Sequence, residues 1–370
     1  MKLTNIRKIF LLGDLHLGVR NNSIEWSNIQ QEFLLDFFLN KIDEEGFDPE
    51  TDILVQLGDW HHVRESTNVR ILEFSVKVAD AFCKKFKRGV YVILGNHDVY
   101  YKDRVDVHSL LGFDKMFSNF HIFQEPEEFI LDSHKFLMLP WIDTISELKE
   151  KVNLYRGKCD YIFCHADIKG VSLNKFTKLD HGLDYDDISY YKKIYSGHIH
   201  IRQENRNFIY TGTPYEMDRG DVGNTKGFYV LDLSGKTVNQ KFVENTCSPR
   251  HIRFEMMDLL QMELPKIKKI FNNNFIDISI ESEFSKKLQF SLFTEKIKDF
   301  GHRRLEFYPY TVDKKNTDSQ IQLGENYEFN IFTILDEYLN NLSLSSIKKE
   351  EIFTYFRGLY DKVIDQQKFR

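Results

Sequence analysis

The sequence predicts an α/β protein built on a largely parallel sheet. Five short apolar runs have the length and composition of buried strands, and each is followed by Asp, Asn or His. Helical patterns separate the first three runs, and parallel strands need crossover connections of this kind. Because open α/β sheets bind ligands at the carboxyl ends of their strands, the polar residues after these strands form the candidate site.

The composition is that of a globular chain with a large core. The chain has 370 residues, of which 42% are hydrophobic, so there is room for two or three domains. We expect no signal peptide, no membrane span and a cytoplasmic location, because no apolar run is long enough to cross a bilayer. The four cysteines show no CxxC spacing, which is typical of reduced thiols. The net charge of -6 restricts any nucleic-acid surface to a local patch.

The first three strands alternate with two helices. Each strand ends in side chains that can bind metals: residues 8–13 precede Asp14 and His16, residues 52–58 precede Asp59, His61 and His62, and residues 90–93 precede Asn96, His97 and Asp98. Apolar residues at helical spacing predict helices over residues 30–45 and 67–86. On sequence alone, Asp98 is a possible orienting partner for the imidazole of His97.

The next part of the chain supplies the remaining two strand ends. Shorter strands are predicted at 121–123 and 136–139, a helix at 145–154, and strands at 161–164 and 193–197. The last two strands lead to His165 and to His198 and His200. If the strand continued, His198 and His200 would share one face. Residues 208–211 and 227–233 resemble the two strands of a hairpin, separated by a loop rich in Gly and Asp.

Composition changes predict four segments. Residues 1–245 hold all the strand-end motifs, 246–312 alternate strand and helix in a smaller α+β domain, and 313–326 form a polar linker. Residues 327–370 contain two amphipathic helices. These helices either pack on the body of the protein or dock a partner, and the sequence favours neither interpretation.

The strand-end side chains form a mixed oxygen and nitrogen donor set suited to Mn, Fe or Zn rather than calcium. The set has two aspartates, one asparagine and four histidines: Asp14, His16, Asp59, Asn96, His165, His198 and His200. A carboxylate in such a set can bridge two metals, and the resulting positive centre would attract a phosphate ester. Each motif alone is weak, since isolated histidines are usually structural. Five motifs in order, each after a strand, favour metal binding.

These motifs resemble those of the calcineurin-like metallophosphoesterases over about the first 240 residues. The resemblance implies a two-layered β-sandwich flanked by helices, and it implies two metal ions that share Asp59. The implied ligands are Asp14, His16, Asp59 and His200 for one ion, and Asp59, Asn96, His165 and His198 for the other. The resemblance also implies that His97 contacts the phosphate or leaving group, supported by Asp98. Cys164 stands where many members have glycine.

Within that superfamily, the Gly58-Asp59-Trp60-His61-His62 motif is similar to the nuclease subunits of double-strand-break repair complexes, the SbcD type, including phage recombination endonucleases. The resemblance implies a DNA exonuclease and endonuclease for duplex ends, hairpins and single strands, in which His62 helps to handle the DNA end. It further implies Mn, with Mg as an alternative, a capping domain, and C-terminal helices that bind an SMC-like coiled-coil ATPase. A homodimer within a heterotetramer would follow, in the host cell cytoplasm for a phage protein.

Other interpretations remain open. A phosphatase or phosphodiesterase for a small molecule or a phosphoprotein would use the same metals but would have little use for the C-terminal helices. A scaffold without metals would lack a ligand, and none of the seven is missing. Two basic runs are candidates for DNA contact, although such runs are usually solvated faces: Lys84, Lys85, Lys87 and Arg88, and Arg303 with Arg304.

Overall fold

The computed structural model describes residues 1–173 and 177–310, together with 348, 349, 352 and 354–356. Met1–Thr311 form one compact unit and Val312–Arg370 a second. The predicted linker at 313–326 lies outside the described residues, as does nearly all of the predicted helical segment at 327–370. In the described part of the chain, no helix is both long enough and apolar enough to cross a membrane.

Two sheets form the centre of the first unit, within the described ranges. One has six strands in the order β13 (Asn239–Glu244), β12 (Gly227–Asp232), β2 (Lys8–Leu12), β3 (Ile53–Gln56), β4 (Val90–Ile93) and β5 (Phe120–Phe123). The other has seven, in the order β1 (Lys2–Leu3), β6 (Glu127–Leu131), β7 (His134–Leu139), β8 (Tyr161–His165), β9 (Lys193–Gly197), β11 (Phe208–Tyr210) and β10 (Gln203–Asn205). Strands β2 to β5 run parallel, as do β7, β8, β9 and β11. The predicted α/β class is therefore confirmed.

Helices cover both outer faces of this pair of sheets. They are α1 (Val19–Asn22), α2 (Ile24–Gln31), α3 (Phe38–Glu44), α4 (Val69–Lys85), α5 (Phe113–Met116), α6 (Ile145–Leu154) and α7 (Tyr185–Ile188). The predicted helix at 30–45 is π-helical over Glu32–Phe37, between α2 and α3. The predicted helix at 145–154 matches α6. Helix α4 begins where the side chain of Asn68 accepts the backbone N–H of Arg70 at 3.0 Å, a standard N-cap.

Three hydrophobic layers hold these elements together. The layer between the sheets is rich in aromatic rings, and Phe136 and Phe163 stack there with centroids 4.7 Å apart. A second layer packs α2 to α4 on the six-stranded sheet, with Phe38 and Phe82 fully buried in it. The third lies under α6 and α7. Each fully buried aromatic side chain stabilises the fold by about 1.5–3 kcal/mol, so the strand ends lie on a well-packed scaffold.

The predicted hairpin of residues 208–211 and 227–233 is wrong. Strand β11 pairs in parallel with β9, whereas β12 pairs with β2 and β13 in the other sheet. Local alternation of polar and apolar residues identified both strands correctly. It did not identify their partners, because strand pairing is decided by contacts distant in sequence.

A smaller parallel sheet follows the two large ones. It consists of β14 (His251–Glu255), β15 (Phe275–Glu281) and β16 (Arg304–Tyr310), with α8 (Met256–Leu260), α9 (Leu264–Phe271), α10 (Ser282–Ser285) and α11 (Leu288–Ile297). Trp26 of α2 stacks on Phe275 with ring centroids 5.6 Å apart, which ties this sheet to the helical layer. All three sheets lie within the same compact unit, so the boundary at residue 245 stays a prediction.

Candidate metal centre

The carboxyl ends of five strands bring all seven predicted metal-binding side chains to one place. Strands β2, β3 and β4 are parallel neighbours, so the residues that follow them lie side by side at one edge of the six-stranded sheet. Strands β8 and β9 add residues from the second sheet. The site is therefore built where the two sheets meet, from residues that are mostly buried.

The first group of donors consists of Asp14, His16 and His200. Their possible ligand atoms all lie within 4.8 Å of one another. The Nε2 atoms of His16 and His200 are 2.9 Å apart, and Oδ2 of Asp59 lies 3.5 Å from Nε2 of His16. Neighbouring ligands held about 2.1 Å from one ion are separated by about 3 Å, so this spacing fits a shared cation.

The second group consists of Asn96, His165 and His198. Oδ1 of Asn96 lies 2.8 Å from Nε2 of His165 and 2.9 Å from Nδ1 of His198. Oδ1 of Asp59 is 3.5 Å from Nε2 of His165. The two oxygens of Asp59 therefore face different groups of donors.

The protons of the second group can be placed from its outer contacts. Nδ1 of His165 donates to the carbonyl oxygen of Leu57 at 2.7 Å, and Nε2 of His198 donates to Oδ1 of Asp167 at 2.9 Å. In neutral imidazoles, the nitrogens that face Asn96 then carry lone pairs. Two lone pairs and an amide oxygen then converge on one point, where either a proton or a bound cation would relieve their repulsion. The donor set thus fits a divalent metal ion.

The pKa shifts of the buried side chains also favour a bound cation. Burial raises the pKa of the Asp14 carboxyl to about 7, against the opposing charge of His165. Burial also opposes the charge on His165, but Asp59 and Asp14 outweigh it and raise the pKa of this imidazole to about 9. Burial lowers the pKa of His16 well below its usual value and that of His200 to about 4, which favours the neutral, ligand form of both. A cation would take the place of the protons on this cluster.

The backbone at the site is held in unusual conformations. His16, Asp59 and His198 have φ angles of 47°, 54° and 84°, in the left-handed region that costs a non-glycine residue about 1–2 kcal/mol. The expectation that His198 continues a strand is therefore wrong, since β9 ends at Gly197. Gly95 permits a close approach, because a Cβ atom there would lie 2.2 Å from Oδ1 of Asp59.

His62 and His97 lie beside the first group of donors. Their rings stack with centroids 5.4 Å apart, and Nδ1 of His62 lies 3.3 Å from Nδ1 of His16. Nδ1 of His97 donates to the carbonyl oxygen of His62 at 2.7 Å. The proton of a neutral His97 is thereby placed on Nδ1, which leaves Nε2 for another partner.

Asp98 does not orient the ring of His97, contrary to the expectation from sequence. Its carboxylate is fully buried and accepts the backbone N–H groups of Gly95 at 2.9 Å and His61 at 3.1 Å, as well as the hydroxyl of Ser109 at 3.3 Å. The adjacency in sequence is misleading here, because the turn directs the two side chains to different partners. Asp98 fixes the loops that carry Asn96 and Asp59 instead.

The structure adds two residues that the sequence motifs did not identify. Asp167 accepts a hydrogen bond from Nε2 of His198. In the sequence, only its position two residues after His165, in a His-Ala-Asp pattern at the end of β8, could have pointed to it. Trp141, which follows β7, packs on the ring of His198 with centroids 4.9 Å apart. Both residues limit how the ring of His198 can turn.

The side chains of the two basic runs contact acidic side chains and a carbonyl oxygen outside the candidate metal site. Lys84, Lys85 and Lys87 pair with Asp80, Asp43 and Glu50, and Arg88 donates to the carbonyl oxygen of Thr4. They lie before β4, whereas the site lies after it. Arg303 pairs with Glu25, and Arg304 with Glu306. Several of these pairs are exposed and therefore weak, so contact of either run with DNA stays a prediction.

Comparison with known proteins agrees with this geometry. A model of the family described as calcineurin-like phosphoesterase matches residues 7–231, a span that includes every donor from Asp14 to His200. Exonuclease subunit 1 of Enterobacteria phage T4 is 25% identical over 363 residues, which cover 95% of this chain and 98% of that protein. With its buried His and Asp donors at the strand ends, the chain is a metal-dependent phosphoester hydrolase, and it belongs to the calcineurin-like phosphoesterase family.

Proposed function

We propose that this protein is a two-metal DNA nuclease, with exonuclease and endonuclease activity, that processes DNA ends in recombination and double-strand-break repair. The observation that carries the proposal is the position of Asp59, whose two oxygens face two separate groups of donors. A similar protein along almost the whole chain is named an exonuclease subunit. That similarity supports DNA, rather than a small molecule or a phosphoprotein, as the substrate.

The proposed ligands follow the two donor groups. One ion would be held by Asp14, His16, Asp59 and His200, and the other by Asp59, Asn96, His165 and His198. Nitrogen and oxygen donors without a thiolate suit Mn, Fe or Zn. Among these we propose Mn, with Mg as the alternative, as the resemblance to the nuclease subunits implies. When bound, the two ions would activate water and neutralise the charge that develops on the phosphate.

The remaining residues of the site bind and orient the substrate. His97 has a free Nε2 because its Nδ1 is held by the carbonyl of His62, so we assign Nε2 to the phosphate or the leaving oxygen. The backbone N–H of His97 donates to Oδ1 of Asp59 at 2.7 Å, which fixes the position of His97 relative to the proposed bridge. His62 stacks on His97 and limits its rotation. Asp98 acts only through the loops that it holds.

The proposal includes partners. The phage relative is named a subunit, which supports assembly with a second protein, and we propose an SMC-like coiled-coil ATPase that docks on residues 327–370. A homodimer would complete a heterotetramer in the cytoplasm of the host cell.

Cleavage assays on the purified full chain test the proposal. The substrates are end-labelled linear duplex DNA, a DNA hairpin and bis-p-nitrophenyl phosphate, each with Mn²⁺, with Mg²⁺ and with EDTA. We expect metal-dependent cleavage of both DNAs, its loss in Asn96→Ala, and its retention in Asn205→Ala, an exposed amide on β10. Hydrolysis of small phosphoesters without cleavage of DNA would instead indicate a phosphatase or a small-molecule phosphodiesterase.

A further inference from the structure

One tight turn, Arg219–Asp221, lies between the proposed metal site and the small sheet. It is a single turn of 3-10 helix with a capping box, in which the side chain of Asp218 accepts the N–H of Gly220 at 2.6 Å. Oδ2 of Asp221 accepts the N–H groups of Met217 at 2.8 Å and Asp218 at 3.3 Å. The turn is therefore closed by its own hydrogen bonds, and its side chains are held in fixed directions.

On its inner side, the turn reaches the residue that carries His200. The ammonium of Lys226 donates to Oδ1 of Asp221 at 2.5 Å, to Oγ1 of Thr213 at 2.9 Å and to the carbonyl oxygen of His200 at 2.6 Å. The side chains of Lys226 and Asp221 are each only 4% exposed. All three donors of a buried lysine are thus satisfied, and one of them fixes the backbone of a proposed metal ligand.

On its outer side, the same turn is tied to the small sheet. Nε of Arg219 donates to Oδ2 of Asp277 on β15 at 2.7 Å. Its Nη2 donates to Glu306 and to the hydroxyl of Tyr308, both on β16. Asp277 is nearly buried, so the guanidinium joins two strands of the small sheet at one point.

We propose that Arg219, Asp221 and Lys226 are positioning residues. They couple the position of the three-stranded sheet to the position of the proposed metal ligand His200. The inference rests on the proposed function, because it takes His200 as a metal ligand. Arg219 and Asp221 are two residues apart in a closed turn, so a shift of β15 and β16 moves the turn as a unit. Lys226 transmits that shift to the carbonyl of His200. Anything that repositions the small sheet then changes the affinity of the first ion, and metal binding acts back on the sheet to the same extent.

Metal binding to the full-length chain tests this coupling. Mn²⁺ is the probe, and the free ion is followed by its electron paramagnetic resonance signal while the apo chain is titrated. In the wild type we expect two bound ions. In Arg219→Ala one of them should bind about 3–10-fold more weakly, less than the effect of about 10–100-fold for residues that contact a metal ligand directly, because Arg219 acts through Asp221 and Lys226. The matched control is Arg253→Ala, which removes a more distant partner of Asp277, 4.0 Å away.

A second variant and a double-mutant cycle make the result decisive. Glu306→Gln changes an exposed carboxylate and should weaken the same ion in the same direction, even if Arg219→Ala unfolds. In a His200→Ala background, Arg219→Ala should have no further effect on Mn²⁺ binding. Wild-type affinity in both Arg219→Ala and Glu306→Gln, or an undiminished effect without His200, overturns the coupling alone. Wild-type Mn²⁺ binding in His200→Ala overturns the ligand assignment, and the coupling with it.

Discussion

Replacement of Asp59 is the sharpest test of a shared metal ligand. Each of its oxygens lies 3.5 Å from a different histidine, so Asp59→Ala removes one ligand from both ions. Asp14 belongs to the first group, with His16 and His200, so Asp14→Ala should remove a ligand from one ion only. Its carboxylate reaches the second group through the backbone N–H of His198, at 3.0 Å, rather than as a ligand, so the loss there should be smaller. The two variants carry the same chemical change at similarly buried positions, and they differ in the number of ions affected.

The size of the effect can be estimated through linkage between binding and folding. Even outer partners of metal ligands change affinity by about 10–100-fold, so we take about 100-fold as the minimum loss for a direct ligand. At a Mn²⁺ concentration of about 100 times the wild-type Kd, two ions should add about 5 kcal/mol to the free energy of unfolding. The same concentration should add about 3 kcal/mol in Asp14→Ala and about 1 kcal/mol in Asp59→Ala.

The assay is thermal or chemical unfolding of each purified chain with EDTA and with Mn²⁺, together with a count of bound ions. The quantity compared is the stabilisation by Mn²⁺ within one variant, so a difference in the stability of the apo proteins does not affect it. Two ions bound with wild-type affinity in Asp59→Ala would refute the shared ligand. So would equal losses in Asp59→Ala and Asp14→Ala.

Three further outcomes are expected. His97→Ala should keep both ions and lose cleavage of DNA by about 10²–10⁴-fold, the usual contribution of a group that transfers a proton or contacts the phosphate; near-normal cleavage would assign that role elsewhere. Asp167→Ala should weaken Mn²⁺ binding by about 10-fold or more, because Nε2 of His198 loses its acceptor, and unchanged binding would show that Trp141 alone orients the ring. Truncation after residue 313 should leave a folded, metal-binding chain that cleaves short DNA and no longer co-purifies with the ATPase; unfolding, or ATPase binding of unchanged affinity, would contradict the docking role of residues 327–370.

The sequence was informative wherever a local pattern decides the structure. Asp14, Asp59, Asn96 and His165 were found because a buried strand has a recognisable length and composition, and because parallel strands place their ends together. The helices α4 and α6 were found from their apolar spacing. Neither inference needed knowledge of contacts between distant parts of the chain.

The remaining features depend on contacts that no local pattern specifies. The left-handed backbone at His198 is set by packing around the site, and its acceptor Asp167 comes from the end of a different strand. Asp98 next to His97 suggested a pair, but the direction of each side chain is decided by the turn between β4 and α5. No local pattern singles out Lys226, since its buried partners lie up to 26 residues away.

The left-handed conformations of His16, Asp59 and His198 imply a trade-off between durability and activity. Glycine adopts such a φ angle freely, so His16→Gly, Asp59→Gly or His198→Gly should each relieve backbone strain that alanine would keep. In directed evolution that selects for heat resistance alone, substitution to glycine at one of these three positions can therefore give an inactive protein that is more stable than the active one. A screen for robust variants of this enzyme needs a concurrent selection for catalysis, applied in every round.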